Sequence, residues 1–372
     1  MEFAAKLAAQ LVAINSENPP GREAEAARFF AEKAAENGLK ARVIDHGQGR
    51  ASALVELFFG EGRTIVYNSH LDTVPAGSLE RWKFHPFTTG VKDGYVFGRG
   101  SVDAKGCLAA MLTSLASLED EKLSGRVVLM AVADEEVGGM GSLSLMKEVG
   151  QMDYVVVGEP TSLQLCAGSR GRTEVTLHFY GKPTHASTPT FGVNAATAAA
   201  KTAVKIAKLE KGYGPKNRLF PRNTATVTVF ESGLKPNVVP DQARLVIDFR
   251  NMGEKPAATL RTAVAIAKSA SPPSVKIRGA VTSHIPSYIT DIRGKLVKEC
   301  REAMKEAGIR PLLRGLPAAT DLNRMNRVRK VDGVIFGPGD LRLAHSFREK
   351  VAVKELAKAA DFYRLLLLRL LR

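Results

Sequence analysis

Four short runs in this chain are apolar along almost their whole length, and each leads into acidic or histidine side chains. TIVYN runs into His70 and Asp72, and RVVLMAVA into Asp134, Glu135 and Glu136; DYVVVGEP reaches Glu159, and GVIFGPG lies just before His345. A strand without polar alternation is buried on both faces, which only a sheet covered by helices on each side provides. Helical spacing of apolar residues falls between such runs, at Phe3–Ile14, Glu23–Asn37, LAAMLTSLASLE and SLSLMKEV. ARVID and SALVELFF read as further strands. The expected fold class is α/β, with a mostly parallel sheet covered by helices.

The pattern changes near Ala167. RTEVTLHFYG, TATVTVFES and ARLVIDFRN alternate as half-buried strands, residues 194–210 and 257–270 are helical, and SVKIRGAV is a last strand. The order β-α-β-β-α-β is that of a ferredoxin-like sandwich. After Ser283 the first pattern returns, with the helix KLVKECREAMKEAG, the strand GVIFGPG and a final apolar helix. We therefore expect a larger domain formed by residues 1–167 and 284–372, interrupted by a smaller α+β domain over residues 168–283. One sheet face of the insert is left uncovered, which suits a homodimer.

The formal net charge of +15 raises the question of a polyanionic partner. Lys and Arg are spread along the chain without a run of five, and one Trp and seven Tyr offer little for base stacking, so no nucleic-acid partner is expected. LNRMNRVRKVDG is the densest basic patch. The N-terminus lacks the pattern of a signal peptide, and no apolar stretch reaches spanning length, so neither export nor a membrane is expected. The ending DFYRLLLLRLLR is interrupted by Arg364, Arg369 and Arg372 and reads as a packed helix. Three cysteines without paired spacing, Cys107, Cys166 and Cys300, suit a reducing cytoplasm.

Ligands of open α/β sheets gather at the carboxyl ends of the strands. His70, Asp72, Asp134, Glu135, Glu136, Glu159 and His345 all follow such ends, and Asp103 sits in the Gly-rich turn GRGSVDAKG. Unpaired carboxylates brought together there are costly, and divalent cations remove the cost. Imidazole with carboxylates suits zinc, and also cobalt or manganese. The absence of Cys from these clusters favours an open, hydrolytic site over a structural zinc.

Taken in order, SHLDTVP, GRGSVDAKG, DEEVGG, GEPT, GKPTHAS, NVVPD and FGPGDLRLAHS resemble the motifs of the dinuclear metal amidohydrolases that include acetylornithine deacetylase, succinyl-diaminopimelate desuccinylase, aminoacylase and glutamate carboxypeptidase. The resemblance covers nearly the whole chain. It implies a zinc-exopeptidase-like catalytic domain and an inserted lid and dimerisation domain. It implies two divalent ions, with Asp103 bridging, His70 and Glu159 completing one set, and Glu136 and His345 the other. It implies that Glu135 is general base and then general acid, and that Asp72 orients the His70 ring. His185 resembles a lid histidine that stabilises the oxyanion in the neighbouring subunit. Asn237 and Arg250 resemble residues holding a substrate carboxylate. Thr320 and Asp321, in AATDLNR, stand where the family often has Gly-Thr/Ser-Asp in contact with substrate. The implied activity is metal-dependent hydrolysis of a small N-acyl amino acid or peptide amide. A deacylase of acyl-lysine or acylornithine leads; succinyl-diaminopimelate desuccinylase and a dipeptidase or carboxypeptidase are the alternatives. The positive charge suits an acidic acyl group or an acidic carrier bearing the amino acid.

Overall fold

The computed structural model describes residues 2–88, 90–118, 121–215, 218–220 and 222–372. The chain forms two compact units, one of Met1–Gly168, Ile289–Leu316 and Thr320–Arg372, the other of Ser169–Tyr288 and Pro317–Ala319.

In the first unit the apolar runs lie side by side. The sheet order is Lys40–Gly47, Arg50–Phe58, Arg126–Val132, Thr64–His70, Tyr154–Val157, Gly333–Ile335, Leu165–Ser169. Thr64–His70 pairs parallel with both Arg126–Val132 and Tyr154–Val157, and Gly333–Ile335 is parallel to Tyr154–Val157. The sheet is thus parallel through its middle and antiparallel on both sides, at Lys40–Gly47 and Arg50–Phe58 and where Leu165–Ser169 meets Gly333–Ile335. Lys40–Gly47 and Arg50–Phe58 are joined by Gln48 and Gly49 alone, at φ of 54° and 81°, a two-residue connection that leaves room only for an antiparallel hairpin.

Helices seal the sheet. Val353–Leu371 buries Phe362, Tyr363, Leu366, Leu367 and Leu370, and packs on Gly106–Ala116 and Lys295–Glu306. The expected end of the middle helix, Glu119, lies outside the described residues. Each buried Leu or Phe contributes about 1.5–3 kcal/mol of transfer free energy, so this helix is core. Its Tyr363 hydroxyl donates to the Phe336 carbonyl and its carbonyl accepts from the Tyr67 hydroxyl, both at 2.6 Å, tying it to two strands that lead into the polar clusters. Among the described residues no helix is long and apolar enough to cross a membrane. All three cysteines are free and buried.

The second unit is a four-stranded antiparallel sheet, ordered Thr224–Ser232, Gln242–Asn251, Gly171–Tyr180, Lys276–Ile285. Helices Ala195–Ala207 and Pro256–Ala270 supply Ala198, Ala199, Ala263 and Ala267 to a core with Val175, Leu177, Phe179, Leu245, Ile247 and Phe249. Small helical residues let the helices lie close to the sheet. The spatial order of fourth, first, third and second strand is the ferredoxin-like arrangement.

Several elements escape the apolar-pattern reading, among them the small sheet of Lys350–Ala352, Tyr95–Phe97 and Val91–Lys92, the strands Leu165–Ser169 and Leu313–Leu316, and the helix Asp321–Val328. The helix carries much of the basic patch, and its Leu322 and Met325 are buried while Arg324 turns toward an acidic partner.

Candidate metal centre

Parallel pairing brings three strand ends to one edge. His70 is the last residue of its strand and is level with Val132, while Asn68 is level with Val157, so Asp134–Glu136 and Glu159 emerge beside it. Asp103 joins them from the Gly-rich turn. Gly100 there has φ +83°, and a Cβ on it would meet the Thr73 methyl at 2.6 Å, so only glycine lets the turn approach this closely. His345 comes from the loop after Gly333–Ile335 with φ +60°, a backbone conformation that non-glycine residues adopt at a cost of order 1–3 kcal/mol.

Two sets of ligand atoms result, His70 with Asp103 and Glu159, and Asp103 with Glu136 and His345, the atoms of each set lying within 4.8 Å of one another. Asp103 is common to both, with Oδ1 at 3.1 Å from His70 Nε2 and Oδ2 at 3.2 Å from His345 Nε2. His345 Nε2 also lies 3.1 Å from Glu136 Oε1. Burial alone would depress the His70 imidazole, yet the Asp103 and Asp72 carboxylates hold it well above its usual range. The hydrogen bonds to Asp103 and Glu136 push His345 up to about 10. Burial raises Glu159 well above the carboxylate range, and the Asp103 charge adds to it. The carboxylates thus favour positive charge at the cluster, which divalent ions would supply with both imidazoles neutral. Three carboxylates and two imidazoles of this kind fit a pair of divalent first-row ions.

Asp72 behaves differently from the sequence expectation. The His70 Nδ1 contact at 2.9 Å is to the Asp72 backbone carbonyl, whereas the carboxylate Oδ1 is 3.6 Å away. The carboxylate stays close enough to act on the ring's charge, but its hydrogen bonds lie elsewhere, Oδ1 accepting from Glu135 N at 3.0 Å and Oδ2 from Glu136 N at 3.1 Å and Asn18 Nδ2 at 2.9 Å. A fully buried carboxylate takes the nearest N–H donors, and the turn after Val132 points two of them at it. The opening strand therefore ends in a polar cluster because one backbone carbonyl sets the ring and one carboxylate sets the Glu135–Glu136 turn.

Glu135 stands apart from both ligand sets. Its Oε1 accepts from Arg324 Nη1 at 2.7 Å, and burial pushes its carboxyl up to about 8 against the pull of that guanidinium.

Thr320 and Asp321 are each 1 % exposed. Thr320 caps the helix Asp321–Val328 in a capping box with Asn323, and Asp321 accepts from Ser142 Oγ at 2.5 Å and Arg324 Nη1 at 3.1 Å. Both side chains are committed to protein partners rather than presented to a ligand. In the second unit Arg250 forms a two-point ion pair with Asp248, Nε to Oδ1 at 2.7 Å and Nη2 to Oδ2 at 3.3 Å. His185 is exposed, with Nδ1 at 2.7 Å from Ser187 Oγ, and Asn237 lies beside it, its carbonyl accepting from Ala186 N.

Several residues support the site through contacts that no motif describes, although Glu349 stands loosely where the resembled family has a later Glu and Lys105 lies within GRGSVDAKG. Glu349 accepts from Asp103 N and Val102 N through Oε1 and from Arg99 Nη1 through Oε2, so it sets the backbone of the shared ligand. Asn18 and Arg50 converge on Asp134 Oδ1 at 3.1 and 2.7 Å, steadying the turn from behind. Lys105 is wholly buried with its Nζ donating to the Ile14 carbonyl, and burial brings its amine down to about 7. Each acts through a partner distant in sequence, which periodicity cannot show.

Residues 66–369 match the model of peptidase family M20/M25/M40. The chain belongs to that family and is an enzyme of that hydrolase class. It is 30% identical over 357 residues to a putative [LysW]-lysine/[LysW]-ornithine hydrolase of Thermococcus kodakarensis, covering 95% of this chain and 88% of the relative. To the succinyl-diaminopimelate desuccinylase of Buchnera aphidicola it is 32% identical over 206 residues, covering 51% of this chain and only 54% of that relative's length. The fold resembles that of an M20-family metallo-carboxypeptidase from Sulfolobus solfataricus, with a TM-score of 0.78 at 19% identity and 99% of each chain covered.

Proposed function

We propose that the protein hydrolyses the amide bond of an N-acyl amino acid. The observation that carries the proposal is the shared Asp103 between two ligand sets, which is the arrangement of a two-ion hydrolytic site. His70, Asp103 and Glu159 would hold one ion, and Asp103, Glu136 and His345 the other; zinc is the leading choice, with cobalt and manganese compatible. When bound, such ions polarise the scissile carbonyl and acidify a water molecule.

The chain's own residues supply the proton chemistry. Glu135 takes a proton from the attacking water on a carboxylate oxygen and passes it to the leaving nitrogen, so the amine departs neutral, Glu135 is again a carboxylate, and the acyl group leaves as the carboxylic acid, whose remaining proton goes to solvent. Adjacent carboxylates divide the work because Glu136 faces His345 while Glu135 faces Arg324. His185, Asn237 and Arg250 are assigned to substrate and oxyanion contacts, with the second unit of a homodimer partner contributing the histidine. The exposed position of His185 supports that reading, and the free cysteines support a cytoplasmic setting. The Asp248 pair means that Arg250 would exchange partners to hold a substrate carboxylate.

The amino acid released is proposed to be lysine or ornithine, supported by the near full-length match to a relative named for [LysW]-lysine and [LysW]-ornithine. The formal charge of +15 suits an acidic acyl group or an acidic carrier. Desuccinylation of succinyl-diaminopimelate is the second reading, favoured by the higher identity over half the chain.

The test is hydrolysis of N-acetylornithine, N-acetyllysine and N-succinyl-diaminopimelate by metal-stripped protein reloaded with zinc or cobalt. One metal-dependent preferred substrate is expected. Absence of turnover on all three with metal bound would overturn the small-substrate reading and leave a carrier-linked or peptide amide.

A further inference from the structure

We propose that Arg324 is a positioning residue for the reaction, clamping the Glu135 carboxylate in the orientation from which it handles protons. The inference rests on Glu135 being the base.

Four observations converge on it. Arg324 Nη1 donates to Glu135 Oε1 at 2.7 Å and to Asp321 Oδ1 at 3.1 Å, so one nitrogen bridges two carboxylates. The pair is sheltered, with 13% and 12% of the Arg324 and Glu135 side chains exposed, which screens it from solvent far less than a surface pair would be.

The guanidinium is itself anchored. Asp321 is held by Ser142 Oγ at 2.5 Å, and Ser142 in turn accepts from the strand residue Asn68 at 2.8 Å. A chain of side chains therefore runs from the core sheet, Asn68 to Ser142 to Asp321 to Arg324, and ends on Glu135.

The turn after Glu135 is shaped to admit the arginine. Gly139 has φ +74°, and a Cβ there would come 2.3 Å from Arg324 Cδ and 2.9 Å from Asp321 Oδ1. At the other end of Glu135, its backbone N–H is fixed by Asp72. Main chain and carboxylate of Glu135 are thus pinned from opposite sides, by Asp72 and by Arg324.

A carboxylate on three freely rotating side-chain bonds spends little time at one address. Holding it removes that freedom before the reaction, and displacement of a reacting group by about 1 Å costs about a hundredfold in rate. Arg324 also supplies a positive charge beside a base otherwise crowded by Glu136 and Asp321.

The experiment compares wild type, Arg324→Met, Arg324→Lys, Glu135→Gln and the double variant Glu135→Gln/Arg324→Met, each loaded with zinc to equal content, on N-acetylornithine and N-succinyl-diaminopimelate. Arg324→Met is expected to lower kcat about a hundredfold with KM changed less than about threefold. In the Glu135→Gln background the same substitution is expected to change the residual rate less than about threefold, because the group it positions is gone. A general loss of structure would lower the rate in both backgrounds alike. A raised KM at unchanged kcat would make Arg324 a substrate-binding residue and overturn the proposal, as would wild-type kcat or a full extra loss in the double variant. Should Arg324→Met fail to fold, Arg324→Lys decides: its ammonium ends one bond short of the Nη1 that makes the bridge, so kcat reduced about tenfold at constant KM supports the proposal, and unchanged kcat overturns it. Wild-type turnover by Glu135→Gln alone would instead sink the assignment of the base.

Discussion

Replacing Asp72 by Ala tests whether this carboxylate organises the turn rather than the histidine ring. The side chain is fully buried and accepts three hydrogen bonds, from Glu135 N, Glu136 N and Asn18 Nδ2. Asn18 keeps a second acceptor, Asp134 Oδ1 at 3.1 Å, so its loss is small. The two backbone N–H groups are left without their acceptor, and each buried orphan costs about 1–3 kcal/mol. The expected destabilisation is therefore about 2–6 kcal/mol, a large share of the roughly 5–15 kcal/mol available to a folded protein. Asp72→Asn should lose less, since its amide retains one acceptor oxygen for one of the two donors. The assay is urea unfolding of the metal-free protein followed by far-UV circular dichroism, with the shift in midpoint converted through the measured slope. Metal-free protein removes any effect of altered ion affinity from the reading. Stability of Asp72→Ala within about 0.5 kcal/mol of wild type would refute the reasoning, because unsatisfied buried donors cannot be that cheap.

Other perturbations separate the remaining parts. Asp103→Ala should retain neither ion at stoichiometric loading, whereas His345→Ala should retain one, as measured by plasma mass spectrometry after gel filtration; equal retention by the two would contradict a shared ligand. Glu349→Ala leaves the Arg99 charge, 4% exposed, without its carboxylate and should cost about 3–5 kcal/mol in thermal or urea unfolding, much of it recovered when Arg99 is also replaced by Met. Glu23 has a fully buried Oε2 without a hydrogen-bond partner, and burial pushes its carboxyl from 4.5 up to about 7. The folded protein then binds the proton that the unfolded chain has released, so this contribution to stability is complete below pH 4.5 and falls away as pH rises toward about 7. Glu23→Gln should flatten that part of the stability–pH curve, and an unchanged slope would count against the assignment.

The strands around the centre were legible because each is a short apolar run whose polar residues begin where the strand stops. Periodicity likewise marked the inserted sandwich, since its strands alternate. What it could not mark were contacts in which one residue acts on another far away. Glu349 precedes the last helix by only a few residues yet supports the backbone of Asp103, and Asn18 sits in a Pro-containing loop yet reaches both Asp72 and Asp134. The helix Asp321–Val328 is two turns long with many polar residues, too short and too polar for an apolar stripe to be read.

By itself the sequence determined the class of fold and the residue types gathered at the strand ends, because these follow from local patterns of apolar and ligating side chains. Only the tertiary structure decided which atom does which work. It gave the His70 ring to a backbone carbonyl, turned the Asp72 carboxylate to the Glu135 and Glu136 amides, buried Thr320 and Asp321 in a helix cap, and set Arg324 against Glu135. The reason is physical: a hydrogen bond depends on ångström distances and direction, and those are set only when strands, turns and helices from remote parts of the chain are packed together.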